Sequence, residues 1–264
     1  MRQLPLPAAM DADEPRVAEN LCMRGRIFLV AIALIASPAL AGPPYVNDDP
    51  EPTDEGHYEI YLFAGGTATQ GGSGGGGGID FNYGAASDLQ LTAVLPLGWD
   101  NPKGGPPTVD LGNVELAAKY KFLHQDDVGV DVAFFPRVFL PAGSAAVGER
   151  HVSLLLPLWV GRSWDQWSTF GGGGCTINRG GDSRNFCQIG WAATYQVAPT
   201  FQIGGELYHQ TADTKGGKAS TGLGVGAIYD LNENLHLMAS AGPGIQNAQA
   251  TDRYTWYAAL QFTF

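Results

Sequence analysis

The chain closes on YTWYAALQFTF, residues 254–264, in which Tyr254, Trp256, Ala258, Leu260, Phe262 and Phe264 occupy every second position. The residues between them are polar or small. A segment with this period of two is a β-strand whose two faces lie in different solvents. The rest of the chain says which solvents those are.

Composition narrows the choice. Of 264 residues, 44% are hydrophobic, yet 37 are glycine and only 16% are charged, which is unlike an ordinary soluble domain. Past the N-terminal leader no run approaches the roughly 18 consecutive apolar residues of a spanning helix, which argues against a helical membrane protein. The net charge of −11 argues against nucleic acid as a partner, because non-specific binding there depends on neutralising phosphates with Lys and Arg. Acidity of this kind suits solvated loops and a wet interior.

The N-terminus indicates export. Met23-Arg-Gly-Arg is a positive n-region, residues 27–36 form an apolar core, and Ala39-Leu40-Ala41 is a small-residue cleavage site. Residues 23–41 therefore read as a signal peptide and Gly42 as the mature start. Residues 1–22 do not fit such a signal, and are either a misassigned start or an extension. Cleavage removes Cys22 and leaves Cys175 and Cys187, a pair in an oxidising compartment. Residues 42–56, rich in Pro and acid, read as a periplasmic segment, with entry into the barrel as the other reading; Pro43, Pro44, Pro50 and Pro52 exclude an ordinary helix there.

Residues 57–264 break into strand-length units at 57–69, 78–85, 89–99, 111–123, 129–140, 151–163, 167–177, 186–197, 201–211, 221–231, 235–241 and 253–264. Many match the nine to eleven residues of a tilted membrane-crossing strand. Their connections alternate. Short turns fall at 86–88, 124–127, 164–166, 198–200 and 232–234, and longer loops at 70–77, 100–110, 141–150, 178–185, 212–220 and 242–252. Tight periplasmic turns facing longer outer loops are the asymmetry of an outer-membrane barrel. The expected fold is all-β: a transmembrane antiparallel up-and-down barrel of about twelve strands, with ten or fourteen as alternatives.

Strand faces follow from the same period. Val114, Leu116, Ala118, Tyr120 and Phe122 oppose Asn113, Glu115, Lys119 and Lys121; Ile189, Trp191, Ala193, Tyr195 and Val197 oppose Gln188, Thr194 and Gln196; and Val128, Val130, Val132 and Phe134 alternate with Asp131, Phe135 and Arg137. Apolar faces meet lipid and polar faces line the lumen. The closing strand 254–264 is then lipid-facing, and Phe264, with Phe262 and Leu260, resembles the C-terminal aromatic signal read by the outer-membrane insertion machinery.

Gly42–Pro52 (GPPYVNDDPEP), the stretch LLLPLWVGRSWDQWSTFGGGG and residues 205–244, which run from GELYHQTADTKGGKAS to MASAGPG, resemble the MetA-pathway of phenol degradation family of outer-membrane proteins. The resemblance covers nearly all of the mature chain. It implies a barrel, and the family name implies uptake of aromatic compounds. Its motifs are structural, so no ligand-contact residue carries over.

No catalytic, cofactor or metal site stands out. The run GGSGGGGGID, residues 71–80, lacks the Lys and Ser/Thr of a phosphate loop and reads as a flexible outer loop. His57, His124, His151, His209 and His236 are scattered without metal-ligand spacing. His151 and Ser153 share a strand face, as a lipid hydrolase would need, but Leu154, Leu156 and Leu158 claim the lipid side and turn that pair inward. Glu59, Glu115, Lys119, Lys121, Asp131, Arg137, Arg162 and Glu206 are the expected lumen charges. They either set the field along a pore or form ion pairs that fill and rigidify the barrel. Cys175 and Cys187 flank one outer loop at similar height and are placed to staple it.

The expected function is passive passage of small, hydrophobic or aromatic molecules across the outer membrane, with lipid and a small solute as partners. Polar lumen residues would orient the solute and the outer loops would gate its entry. The alternatives are a structural or adhesive barrel with a blocked lumen and, third, a lipid-acting enzyme.

Overall fold

The computed structural model describes residues 44–144, 147–148 and 150–264. The expected signal peptide, the 1–22 stretch and Gly42 lie outside these residues.

Fifteen strand segments and one short helix follow in chain order. They are β1 (Tyr58–Thr69), β2 (Gly72–Ala86), β3 (Leu89–Pro102), β4 (Thr108–Leu111), β5 (Val114–Leu123), α1 (Gln125–Val128), β6 (Asp131–Phe134) and β7 (Arg137–Leu140). After these come β8 (Ser153–Trp164), β9 (Trp167–Ile177), β10 (Phe186–Ala198), β11 (Phe201–Gln210), β12 (Ser220–Asn232), β13 (Leu235–Gly242), β14 (Gly244–Gln246) and β15 (Tyr254–Thr263). Three staves of the barrel are each made of two segments. β4 and β5 both lie opposite β3, β6 and β7 lie between β5 and β8, and β13 and β14 both pair with β12. The result is a closed antiparallel barrel of twelve staves.

Closure is made by β1 and β15, paired from Glu59↔Thr263 to Ala68↔Tyr254. The Tyr58 N–H donates to the Phe264 carbonyl at 2.7 Å and the Phe264 N–H donates back at 3.1 Å, so the ladder runs to the last residue. A closed ladder leaves no unpaired edge, which lipid could not solvate.

The breaks have local causes. Pro136 has no N–H to give and separates β6 from β7, although its carbonyl still accepts from Ala118 at 3.3 Å. Pro243 separates β13 from β14 in the same way. Thus the units expected at 111–123 and 129–140 are interrupted, whereas 235–241 is continuous as β13 and its stave goes on past Pro243 as β14.

The alternation read from the sequence is the alternation of faces. Leu95, Leu97, Val109, Ile189, Val197 and Val225 are all at least half exposed, Val225 at 70%. At roughly 25 cal/mol for each Å² of apolar surface left in water, such a belt is stable only against hydrocarbon. Aromatic rings mark one boundary of the belt: Tyr58–Tyr83 and Trp167–Tyr195 both stand 4.8 Å apart, and Phe201–Tyr229 6.3 Å apart, all beside the short turns. Phe264 lies at this end, 57% exposed and 6.3 Å from the Tyr58 ring.

At the same end, the turn joining β8 to β9 is only Asp165–Gln166, and Asp165 takes φ 50 to make it. Helix α1 stops at Gly129, whose φ of 86 is the left-handed cap that Gly tolerates best. Nearby, the Asp88 carboxylate bonded to His124 Nε2 at 2.8 Å holds that imidazole above its usual pKa.

The glycine run is not a loop. Gly72–Gly78 lies in β2, paired residue for residue with β1 from Thr69↔Gly72 to Phe63↔Gly78 and with β3 on its other side. Only Gln70 and Gly71 turn between β1 and β2. Side-chain periodicity cannot be read where there are no side chains, which is why the expected strand began too late.

Cys175 and Cys187 are directly opposed in the β9–β10 ladder and joined as a disulfide, with 12 residues of separation. Replacing both by Ser is expected to cost about 2–4 kcal/mol, the range for closing a loop of this kind. The check is the shift of the urea unfolding midpoint of the folded protein in lipid vesicles, with and without reductant.

Candidate functional site

The interior of the barrel is divided. On one side Tyr61, Phe63, Val94, Met238, Tyr257 and Ala259 form a buried apolar cluster, contributed by β1, β3, β13 and β15. Beside it, β5 and β7 carry charge, Glu115 of β5 standing directly opposite Val94 in the β3–β5 ladder. Arg137 Nε donates to Glu115 Oε1 at 2.6 Å, with both side chains almost wholly buried. The Phe135 ring lies between them and Lys119, with the Arg137 guanidinium 4.8 Å and the Lys119 ammonium 5.0 Å from its centroid.

Residues 44–53 occupy the space between these walls. Tyr45, Asn47, Asp48 and Thr53 are no more than 3% exposed. At its lower end Thr53 donates its N–H to Gln90 Oε1 at 2.8 Å. Gln90 Nε2 in turn donates to Asn82 Oδ1 at 2.7 Å and Thr92 Oγ1 at 2.9 Å. In the middle Lys119 Nζ donates to Asp48 Oδ1 at 2.9 Å and to the carbonyls of Asp49 and Glu51, each at 3.1 Å. Higher up, Glu206 accepts from the Val46 N–H at 3.0 Å, the Asn47 N–H at 3.1 Å and Asn47 Nδ2 at 2.6 Å. Ser240 Oγ donates to the Pro44 carbonyl. The prolines, which exclude a helix, leave this segment extended with free backbone groups, and the lumen wall satisfies them.

The wall is carved to receive the segment. Gly161, Gly190, Gly204 and Gly226 sit at lumen-facing positions of β8, β10, β11 and β12. A Cβ at Gly161 would stand 2.7 Å from Pro50 Cδ, and one at Gly226 2.9 Å from Tyr45 Cε1. At Gly190 and Gly204 it would collide with the Asn47 side chain and the Tyr45 hydroxyl. Gly204→Leu is therefore expected to destabilise the seated segment by about 1–3 kcal/mol, the usual cost of overpacking. Faster cutting at Asp48, Asp49 or Glu51 by an acid-specific protease would show it.

The reading of residues 42–56 as a periplasmic segment does not hold for 44–53, which lie in the lumen. Of the sequence-predicted charges, Glu59, Glu115, Lys119, Lys121, Asp131, Arg137 and Glu206 face the interior. Lys121 reaches Glu51 at 2.6 Å and Asp131 at 4.0 Å. Glu59 accepts from the Tyr61 hydroxyl at 2.8 Å. Arg162 is the exception: it shares the outward face with Leu154, Leu156, Leu158 and Val160 and is exposed. Its strand position sets that face, because β8 keeps its register with β9 without a bulge.

The structure therefore brings the seven inward charges into ion pairs and hydrogen bonds rather than into an open ring. Sequence reasoning missed Tyr45, Asn47 and Asp48, their counterparts. The available signal was the run of glycines spaced along lumen faces, which marks where a second backbone approaches.

Among the described residues, two spaces lie beside the segment. One, of about 150 Å³, lies toward the short turns, lined among others by Tyr45, Asp49, Glu51, Asp131, Phe170 and Thr194. The other, of about 30 Å³, lies higher, beside Pro44, Glu206, Tyr208, Ser240 and Tyr257. Just above, burial raises the Asp252 carboxyl, which accepts from the Tyr208 hydroxyl at 3.3 Å. Ser153 is buried on the lumen side, whereas His151 is exposed and precedes β8. Among the described residues no group of His, Cys, Asp and Glu is arranged to hold a metal.

Known structures share this architecture. An outer membrane channel from Pseudomonas putida F1 superposes with a TM-score of 0.70 at 15% identity, over 82% of this chain and 98% of that one. The KdgM porin follows at 0.56 and 14%, over 78% and 99%. The NanC porin gives 0.54 and 10%, over 77% and 98%. No curated protein matches the sequence. The fold is that of the outer-membrane channels and porins of Gram-negative bacteria. Residues 59–263, the whole barrel wall, match the sequence profile described as "Putative MetA-pathway of phenol degradation", and the chain belongs to that family.

Proposed function

We propose that this barrel passes small, largely apolar or aromatic molecules across the outer membrane, and that residues 44–53 form its constriction. The observation that carries this reading is the divided lumen. A solute moving past the seated segment meets Tyr61, Phe63, Val94, Met238 and Tyr257 on one side and a polar, hydrogen-bonded strip on the other. Such a lining holds apolar molecules and gives hydrated ones little room. The family description points to phenol degradation, which agrees with an aromatic solute. Phe264, with Phe262 and Leu260, serves as the signal for the insertion machinery.

The test is uptake into proteoliposomes. Phenol-sized aromatics should enter faster than sugars of similar mass, and equal rates would sink the proposal. The second reading, a structural barrel with a blocked lumen, draws on the near-complete burial of Tyr45, Asn47 and Asp48. It requires that neither solute enters, from protein shown to be folded by its heat-modifiable gel mobility.

A further inference from the structure

Charge is divided unequally between the two ends of the barrel. The short turns hold Asp88, Asp126, Asp127, Asp165 and Glu233 and no Lys or Arg. At the opposite end, the β9–β10 connection carries Arg179 and Arg184, and the β11–β12 connection carries Lys215 and Lys218. Each other outer connection holds at most one described cation, Lys103, Arg150 or Arg253.

The two basic loops form one body. Ser183 bridges Thr214, the Arg184 N–H donates to the Asp213 carbonyl at 2.6 Å, and the Lys215 N–H donates to the Asp182 carbonyl at 2.8 Å. Their base is pinned where the Cys187 N–H donates to Thr211 Oγ1 at 2.8 Å, next to the Cys175–Cys187 disulfide. Arg179, Arg184, Lys215 and Lys218 are all exposed. Among the described residues none of the four lies within 4.0 Å of a carboxylate.

Below this platform runs the lipid-facing belt of Ile177, Ile189, Leu207 and Leu223, all exposed. Between belt and cations, on the same outward face, stands a polar ledge. His209 Nδ1 meets Thr221 Oγ1 at 2.8 Å, and Thr221 Oγ1 donates to Gln246 Oε1 at 2.7 Å. Apolar belt, hydrogen-bonding ledge and cations thus follow one another along the barrel wall.

We infer that this platform docks a phosphorylated glycolipid of the outer leaflet. Its acyl chains lie along Ile177, Ile189, Leu207 and Leu223, its sugar hydroxyls meet the ledge, and its phosphates are held by Arg179, Arg184, Lys215 and Lys218. Guanidinium groups suit phosphate because their N–H forks match its oxygens two at a time. The loops are already tied together, so little ordering cost opposes binding.

The experiment is native mass spectrometry of protein purified from outer membranes, titrated with lipid A and separately with phosphatidylethanolamine at matched concentrations. Wild type should retain lipid A in preference, with affinity falling as salt rises. Arg179→Gln/Arg184→Gln/Lys218→Gln should weaken lipid A binding at least about tenfold, from the loss of three cations at a charged membrane surface. Lys103→Gln/Arg150→Gln/Arg253→Gln, equal in charge but off the platform, should leave it unchanged.

Equal weakening by both triple variants, or equal retention of the two lipids by wild type, overturns the inference. Competition by millimolar inorganic phosphate would assign the cations to a free anion and overturn it as well. Salt dependence of the wild type gives a reading that does not depend on the variants folding.

Discussion

Deleting residues 44–53 is expected to raise single-channel conductance severalfold in planar bilayers and to let hydrophilic solutes enter that wild type excludes. A barrel of twelve staves lies between the eight whose interior side chains fill and the sixteen that leave an aqueous channel, so what stands in its lumen decides its permeability. Here the segment is anchored at three heights, by Gln90, Lys119 and Glu206. Removing it leaves Lys119 and Glu206 facing water, which costs the barrel little. Unchanged conductance would place the constriction elsewhere and remove the segment from the proposed mechanism. Lys119→Met should give an intermediate result, with frequent brief openings, because Asp48 would stay buried without its cation.

The second large effect concerns the wall itself. Arg137→Met is expected to lower stability by about 3–5 kcal/mol, the usual cost of removing one partner from a buried pair. Glu115 is 6% exposed and would be left buried with its guanidinium partner gone. The Glu115→Gln/Arg137→Met double variant should recover much of that loss, since neither residue then demands a counter-charge. Urea unfolding in lipid vesicles, followed by tryptophan fluorescence, measures both. A double variant as unstable as the single would mean that Arg137 acts mainly by packing on Phe135.

How much was legible varies with the kind of signal. All twelve staves were located from the period of two and the alternation of turn lengths, and 167–177 was bounded to the residue. The outward face of β15 and the inward placement of Lys119 and Lys121 follow from parity alone. Arg162, expected among the lumen charges, instead obeys parity with Leu156 and Leu158, which turns it outward. Gly72–Gly78 was invisible as strand because glycine carries no facing information.

What the sequence by itself determined is the wall: about twelve antiparallel staves, their lipid and lumen faces, and a closing strand that ends at Phe264. Each of these depends on a pattern that repeats within ten residues, and a one-residue slip would turn a whole face from hydrocarbon to water. What only the tertiary structure decided is the content of the lumen. The Lys119–Asp48 contact joins residues 71 apart, and the Asn47–Glu206 contact residues 159 apart. Such pairs exist because closing the sheet encloses a space of one width. The extended, proline-stiffened segment fits that space only where Gly161, Gly190, Gly204 and Gly226 leave the wall bare.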